Sequence, residues 1–193
     1  MGPCTVTARA LRDGRRVQSL EATIEADGKI VSRAVATRIR VDPDVTAEDQ
    51  LPPIDPIDVA PPLPETEISY SRDRVSFHDC LEIRSKGRPG NLHDETWFHL
   101  NHPLVEGEEP TPVVRLAVVA DMILSSSWFL GDEWMSINPE VMLQVERPPV
   151  GEWICASSVN RPTADGIGMS EGVLFDRQRR VGRSSKSVLN QRR

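Results

Sequence analysis

The first forty residues alternate apolar and polar side chains in the manner of a small antiparallel sheet. Leu20, Ala22 and Ile24 share one face of the second segment, and two Asp-Gly pairs, a strong hairpin signal, separate the segments. A period of two predicts one buried and one hydrated face, so another element should cover the apolar face. The three strands are expected at residues 6–11, 17–25 and 30–41.

Residues 42–66 are rich in proline, which fixes φ and removes backbone donors. This composition predicts an extended linker that is neither helix nor central strand. Residues 1–41 and 67–193 are therefore expected to form separate blocks on either side of it.

Residues 67–193 predict strands around a single buried helix. The helix should run from Val113 to about Leu124, with Thr111 as its N-cap and Pro112 in its first turn. Because this segment is apolar nearly all round, we expect an α+β fold in which an antiparallel sheet, including both chain ends, wraps the helix. The strands are expected at residues 75–85, 96–100, 135–146, 152–160, 168–175 and 181–191.

An internal repeat connects the two blocks. Shifting the chain by 150 positions places EATIEADGKIVSRAVATRI, beginning at Glu21, over EGVLFDRQRRVGRSSKSVL, beginning at Glu171, without a gap. One hypothesis is that any two hairpins share such a pattern. The other is that the chain holds two copies of one fold, of which the first has only its last strands.

Charge and cysteine content narrow the function classes. A formal charge of −6 argues against nucleic acid as the main partner. Three widely spaced cysteines predict neither a disulfide framework nor structural zinc. The first residues lack the apolar core of a signal peptide, and no apolar run could span a bilayer. We expect a cytoplasmic protein.

Several segments resemble a known family. FHDCLEIR, HPLVEGEEPTPVVRLAVVADM, SINPEVMLQVERPPVGEW and DGIGMSEGVLFDRQRRVGRSSKSVL are similar to the second half of bacterial acyl-CoA thioesterases of the thioesterase II type. LRDGRRVQSLEATIEADGKIVSRAVATRIR is similar to the end of that family's first domain. The resemblance implies a double hotdog fold with its front part missing: 1–41 ends a first hotdog, and 67–193 is a complete second one. It also implies hydrolysis of fatty acyl-CoA, with no metal or redox cofactor.

The resemblance also assigns catalytic positions. The family's aspartate falls on Asn138, with Glu140 as a competing position, and its glutamine falls on Lys186. The hydroxyl position falls on Thr163, or on the serines at 157–158 in another register. An asparagine cannot act as a carboxylate base, and a lysine adds a charge. The alternative to hydrolysis is therefore a non-catalytic acyl-CoA-binding or assembly module.

Three further residues are candidates for substrate binding. Asp121, inside the apolar helix, would line the acyl pocket or order a water; alternatively it bonds nearby backbone or the serines at 125–127. Gly166 and Gly168 would allow close approach of a ligand, or serve only the geometry of a hairpin. A homodimer is a further expectation, because a partner could cover the first sheet.

Overall fold

The structure, a computed structural model, describes residues 2–42, 53, 55–65, 67–68, 76–86, 93–123 and 133–192. It divides into two compact units, Met1–Pro53 and Ile54–Arg193. The described strands form two separate sheets, one in each unit. Among the described residues, the strands of the first forty residues pair only with one another, so the expectation that both chain ends enter one sheet is wrong.

The first unit is the expected three-stranded meander. Its strands are β1 (Cys4–Asp13), β2 (Val17–Ala26) and β3 (Lys29–Ile39), paired antiparallel in chain order. Asp27 and Gly28 both have positive φ, at 50° and 71°, which is the backbone that a two-residue hairpin requires.

The apolar face of this unit is uncovered in the described part of the chain. Val6 is 69% exposed and Ile24 is 38% exposed, so the expected burial of this face is not seen. The buried side chain of β2 is instead Glu21, on the opposite face, where Arg9 and Arg33 each donate to it. The hydrogen bond from Arg9, followed in size by that from Arg33, lowers the pKa of Glu21.

The described residues of the second unit form one α-helix and one antiparallel sheet. The elements are β4 (Leu81–Ser85), β5 (His93–Leu100), α1 (Pro112–Met122), β6 (Trp134–Ile137), β7 (Met142–Val145), β8 (Trp153–Pro162), β9 (Ile167–Phe175) and β10 (Arg180–Arg192). The sheet order is β4-β5-β8-β9-β10-β6, and β7 also pairs with β10.

Two predicted strands differ from those observed. The strand predicted at 75–85 begins only at Leu81, because Ser76 caps a short 3-10 helix, Phe77–Cys80; residue 75 lies outside the described residues. The strand predicted at 135–146 is divided into β6 and β7 at Asn138-Pro139, since proline cannot continue a ladder. Both pieces pair with the long β10, so the described residues after the helix form five strands rather than four.

Helix α1 packs its apolar side chains onto the inner face of the sheet. Thr111 caps it by accepting from the Val114 backbone N–H at 3.3 Å, and Pro112 opens it, as predicted. Leu116 is fully buried. Each such side chain contributes roughly 1.5–3 kcal/mol when fully buried, so the helix is the centre of the core. The same core cluster includes the sheet residues Ile83, Phe98, Ile154, Ala156, Leu174 and Val181.

The outer face carries a second, smaller cluster. Trp97, Cys155 and Phe175 are buried there, and Ala60 and Leu63 from the proline-rich segment pack against them. The described part of that segment holds a short 3-10 helix, Pro56–Asp58, and a single bridge from Val59 to Arg179. No helix in the described residues is long and apolar enough to cross a membrane.

A buried ion pair anchors the ERPPVGEW segment. Arg147 donates through Nη1 and Nη2 to the two carboxylate oxygens of Asp176, at 2.7 and 2.8 Å. Asp176 is fully buried and also accepts from the backbone N–H groups of Val150, Gln178 and Arg179. Burial would raise the pKa of Asp176, but these bonds lower it to about 2.

The internal repeat extends to the pairing register. In the first unit, Ala22 faces Ala34, and a bulge follows after Ile24. In the second unit, Gly172 faces Ser184, 150 positions further, and the bulge between β9 and β10 stands at the same offset. The β1–β2 and β8–β9 pairings also match at 150 positions over most of their length. A shared bulge is more than two generic hairpins require.

Candidate functional site

Three of the residues assigned from sequence meet at the end of α1. Asp121 lies in the last turn of the helix, Asn138 directly follows β6, and Lys186 lies on β10. The Asn138 Nδ2 donates to Asp121 Oδ1 at 2.8 Å. The Lys186 Nζ donates to the backbone oxygen of Asp121 at 2.7 Å. We define this group as the helix-end cluster.

Asn138 is positioned by the strands on either side of it. Ile137, at the end of β6, pairs with Leu189 on β10. On the other side, Glu140 Oε1 accepts from the Ser187 backbone N–H at 2.7 Å. Hydrogen bonds from the Ser187 side chain and then from its backbone N–H lower the pKa of Glu140, so its carboxylate is engaged in fixing the loop. Glu140, the competing position for the family's aspartate, therefore has a visible structural role.

Lys186 is a buried amine at the negative end of a helix. Its side chain is on the inner face of the sheet, where the residue is 4% exposed. Carbonyls in the last turn of a helix lack intrahelical partners and carry partial negative charge, which favours a cation there. Burial lowers the pKa of Lys186, and the charge of Asp121 opposes that shift.

Asp121 differs from its expectation. The sequence suggested a buried carboxylate, whereas the structure places Asp121 on an exposed position of α1 with Asn138 as its partner. The serines at 125–127, its alternative partners, lie outside the described residues. Its assignment to substrate binding stays a prediction.

A polar row crosses the sheet beside Lys186. Lys186 on β10 pairs with Ser170 on β9, and Ser170 pairs with Asn160 on β8. Ser170 Oγ donates to Asn160 Oδ1 at 2.5 Å, and both residues are almost completely buried. Directly paired side chains on one face have Cβ atoms about 4.5–5.5 Å apart. Ser170 and Asn160 therefore extend the helix-end cluster along the inner face.

The next row of paired residues on the inner face packs against the helix. Ser158 pairs with Gly172, and Gly172 pairs with Ser184, whose Oγ donates to the Ala120 backbone oxygen at 3.2 Å. A Cβ on Gly172 would stand 3.0 Å from Ile123 Cδ1 and 3.0 Å from the Ser157 backbone oxygen, so a larger residue would crowd this contact. Of the serines weighed at 157–158, Ser158 faces the helix and lies close to the site.

The remaining assigned residues lie around the β8–β9 turn. Thr163 is exposed and bonds to Asp165 and to the backbone oxygen of Ile167 at 2.5 Å. Gly166 has a φ of +85°, a turn conformation. Gly168 is buried on β9, one row beyond Ser170. Thr163 and Gly166 therefore have turn roles in the structure, and their roles in catalysis and binding stay predictions.

The sequence missed Ser170 and Asn160 because their link to Lys186 is a pairing across three strands. The alternation of residues in 156–160 and 168–174 is the signal that could have placed them on the inner face. Together the cluster offers a carboxylate, two amides, an ammonium group and a hydroxyl. Such a set can activate a water and bind a carbonyl oxygen.

Comparisons with known proteins agree on one family. Residues 49–189 match the family model described as the acyl-CoA thioesterase C-terminal domain. Among curated proteins, no match was found.

Solved structures show the same fold. A protein of Thermobifida fusca provisionally named thioesterase II has 16% identity and a TM-score of 0.75, over 99% of this chain and 73% of that one. An acyl-CoA thioesterase II of Mycobacterium marinum has 16% identity and a TM-score of 0.64, over 97% and 73%. A hotdog-fold protein of unknown function from Alicyclobacillus acidocaldarius has 14% identity and a TM-score of 0.71, over 97% and 72%.

These likenesses confirm the expected α+β hotdog fold. The family model covers most of the chain and contains the whole helix-end cluster. The chain belongs to the acyl-CoA thioesterase family, and its residues 49–189 are that family's C-terminal domain.

Proposed function

We propose that this protein hydrolyses fatty acyl-CoA thioesters with a water activated by Asp121. The observation that carries the proposal is the 2.8 Å bond from Asn138 Nδ2 to Asp121 Oδ1, beside Lys186. The family's aspartate position is an asparagine here, but the asparagine holds a carboxylate supplied by the helix. The carboxylate needed as general base is thus supplied by Asp121, the hydrogen-bond partner of Asn138.

The proposed reaction uses each group in one role. Asn138 occupies Oδ1 of Asp121, which leaves the second carboxylate oxygen of this exposed side chain to accept a proton from water. The water attacks the thioester carbonyl, the C–S bond breaks, and CoA leaves as its thiol. General-base assistance of this kind is worth roughly 10²–10⁴-fold in rate.

Lys186 is proposed to stabilise the oxygen on which charge develops. An ammonium group has three donors, and one of them is used by the backbone oxygen of Asp121. A donor held by buried surroundings needs little reorganisation when the charge appears. Ser170, paired with Lys186, supplies the hydroxyl that the family places in this site.

A binding role without chemistry is the second candidate. It is favoured by the same Lys186 bond, because an amine that caps a helix carbonyl contributes to folding whether or not a reaction occurs. In that case the protein would hold acyl-CoA without turning it over. A cytoplasmic location and a homodimer stay predictions under either function.

Turnover and binding, measured on the same preparation, separate the two functions. CoA thiol release would be followed over a series of fatty acyl chain lengths, and affinity would be measured with a thioether analogue that cannot be hydrolysed. Hydrolysis predicts catalytic release of thiol that falls strongly in Asn138→Ala. Saturable binding of the analogue with thiol release at the rate of buffer alone would refute hydrolysis and favour the binding module.

A further inference from the structure

The three-stranded sheet of the first unit carries a net positive charge, as do residues 177–193 at the other end of the chain. Residues 2–42 hold eight Arg or Lys and five Asp or Glu, a net charge of +3, whereas the whole chain has −6. Most of these arginines are at the β1–β2 turn and at the end of β3 beside it. We define the arginine patch as Arg12, Arg15, Arg16, Arg38 and Arg40.

The patch surrounds a cleft. Arg15, Arg16, Arg38 and Arg40 line a cavity of about 360 Å³ together with Gly14, Gln18 and Ile39. The Arg40 backbone N–H donates to the Arg16 backbone oxygen at 2.9 Å, which fixes the two arginine-bearing segments side by side.

The guanidinium groups of the patch are available to a ligand. None of the five arginines takes part in an ion pair among the described residues. Arg38 bonds instead to Gln18 Oε1, at 2.9 Å through Nε, and the Gln18 amide donates to Asp13. The carboxylate of Asp13 therefore accepts a hydrogen bond from an amide and does not pair with a guanidinium group of the patch.

The internal repeat shows that the fold does not require these arginines. The backbone bond between Arg40 and Arg16 recurs 150 positions further, where Asn190 N–H donates to Gly166 O at 2.7 Å. The side chains at that second turn are uncharged or acidic: Pro162, Asp165, Gly166, Val188 and Asn190 stand where the five arginines stand in the first unit. The same backbone bond thus forms without an arginine at any of the five matching positions.

Four guanidinium groups around a small cleft match a ligand with several phosphates. Guanidinium groups bind phosphate through paired, charge-assisted hydrogen bonds. A nucleic-acid polymer would need an extended basic stripe and is repelled by the net charge of −6. Coenzyme A carries a 3′-phosphate and a pyrophosphate close together, which is the arrangement that the cleft can surround.

We propose that the arginine patch binds the phosphorylated nucleotide of coenzyme A. This inference rests on the proposed function for its choice of ligand. It assigns the first unit a role in binding this nucleotide.

The test is binding of adenosine 3′,5′-bisphosphate to the full chain, measured by titration calorimetry, with pantetheine as a phosphate-free probe. The bisphosphate should bind and pantetheine should not compete with it. Arg16→Gln should weaken bisphosphate binding roughly tenfold, because a hydrogen bond to a charged group is lost. Added salt should also weaken it, because exposed charges are screened.

Lys29→Gln is the matched control, because it removes one positive charge at the opposite end of the same sheet. Equal losses in Arg16→Gln and Lys29→Gln would overturn the patch as a site. So would an oligonucleotide that displaces the bisphosphate at a lower concentration than coenzyme A does.

Hydrolysis assays keep this inference distinct from the proposed function. If thiol is released from acyl-CoA but the bisphosphate binds Arg16→Gln as tightly as the wild type, the patch inference fails and the proposed function stands. If the bisphosphate binds in an Arg16-dependent manner but no thiol is released, the proposed function fails and the patch stands. Thiol release together with Arg16-dependent binding of the bisphosphate supports both.

Discussion

Replacing Asp176 by Asn should unfold the second unit more readily than any nearby surface change. The substitution keeps the shape of the side chain but removes its charge and half of its acceptor capacity. Arg147 donates twice to this carboxylate, and three backbone N–H groups donate to it as well. The new amide would direct N–H hydrogens at some of these donors and leave a guanidinium group without its partner.

The structure sets the size of this effect. Breaking a buried pair by removing one partner costs about 3–5 kcal/mol. The Asp176 side chain is fully buried but that of Arg147 is 20% exposed, and water will screen the remaining charge. We therefore expect a loss of about 3 kcal/mol in the free energy of unfolding.

Urea unfolding followed by tryptophan fluorescence would measure this loss. All four tryptophans lie between residues 97 and 153, so the signal reports on the second unit alone. Glu171→Gln is the control, since it removes a carboxylate that also pairs with an arginine, Arg161, but with both side chains about half exposed. Exposed pairs contribute about 0–1 kcal/mol.

Similar midpoints for Asp176→Asn and Glu171→Gln would refute the reasoning. A larger loss that persists when Arg147 is replaced by Met would do so too, because the cost would then not come from the pair. A double-mutant cycle between positions 147 and 176 separates the pair energy from the backbone bonds.

Three other predictions concern stability. The pKa of Asp176 is lowered from 3.8 to about 2, so its contribution to the free energy of unfolding should be complete above pH 4 and be lost as the pH falls from about 4 to about 2. Comparing the unfolding of the wild type with that of Asp176→Asn across this pH range checks the prediction. Gly166→Ala should lower the free energy of unfolding by about 1–3 kcal/mol, because φ is +85° and a Cβ would lie 2.7 Å from the Asn190 backbone oxygen. Gly28→Asn, which has open space around it, should be nearly neutral in the same thermal-melting assay. Gly172→Ala should lower the melting temperature through overpacking against the end of α1, at a cost of about 1–3 kcal/mol.

Much of the fold follows from local sequence signals. The Asp-Gly pair at 27–28 specifies a tight turn, and Thr111-Pro112 specifies the start of the helix. The apolar run after Pro112 predicts burial of the helix. These signals suffice because each depends on a few neighbouring residues, and local preference and tertiary packing agree at each of them.

The differences arise where tertiary context decides. Asn138-Pro139 divides one predicted strand into two, because the proline cannot donate to the ladder with β10. The face that contains Ile24 and Val6 was expected to be buried, but alternation indicates only which side chains share a face, not whether a covering element is present.

The site was partly predictable for a similar reason. Asn138 and Lys186 followed from resemblance, and Asp121 from its place in an apolar helix. Ser170 and Asn160 did not, because their contact depends on the β8–β9 register rather than on spacing in the chain. The bond between Asp121 and Asn138 joins residues 17 positions apart, which no sequence pattern indicates.

The central claim is that the Asp121 carboxylate, held by Asn138, activates the attacking water. The most direct measurement is the rate of CoA release from a fatty acyl-CoA by Asp121→Asn, compared with the wild type and with Glu109→Gln, an exposed carboxylate just before the helix. We predict a fall of roughly 10²–10⁴-fold for Asp121→Asn and no change for Glu109→Gln. A wild-type rate in folded Asp121→Asn would contradict the account.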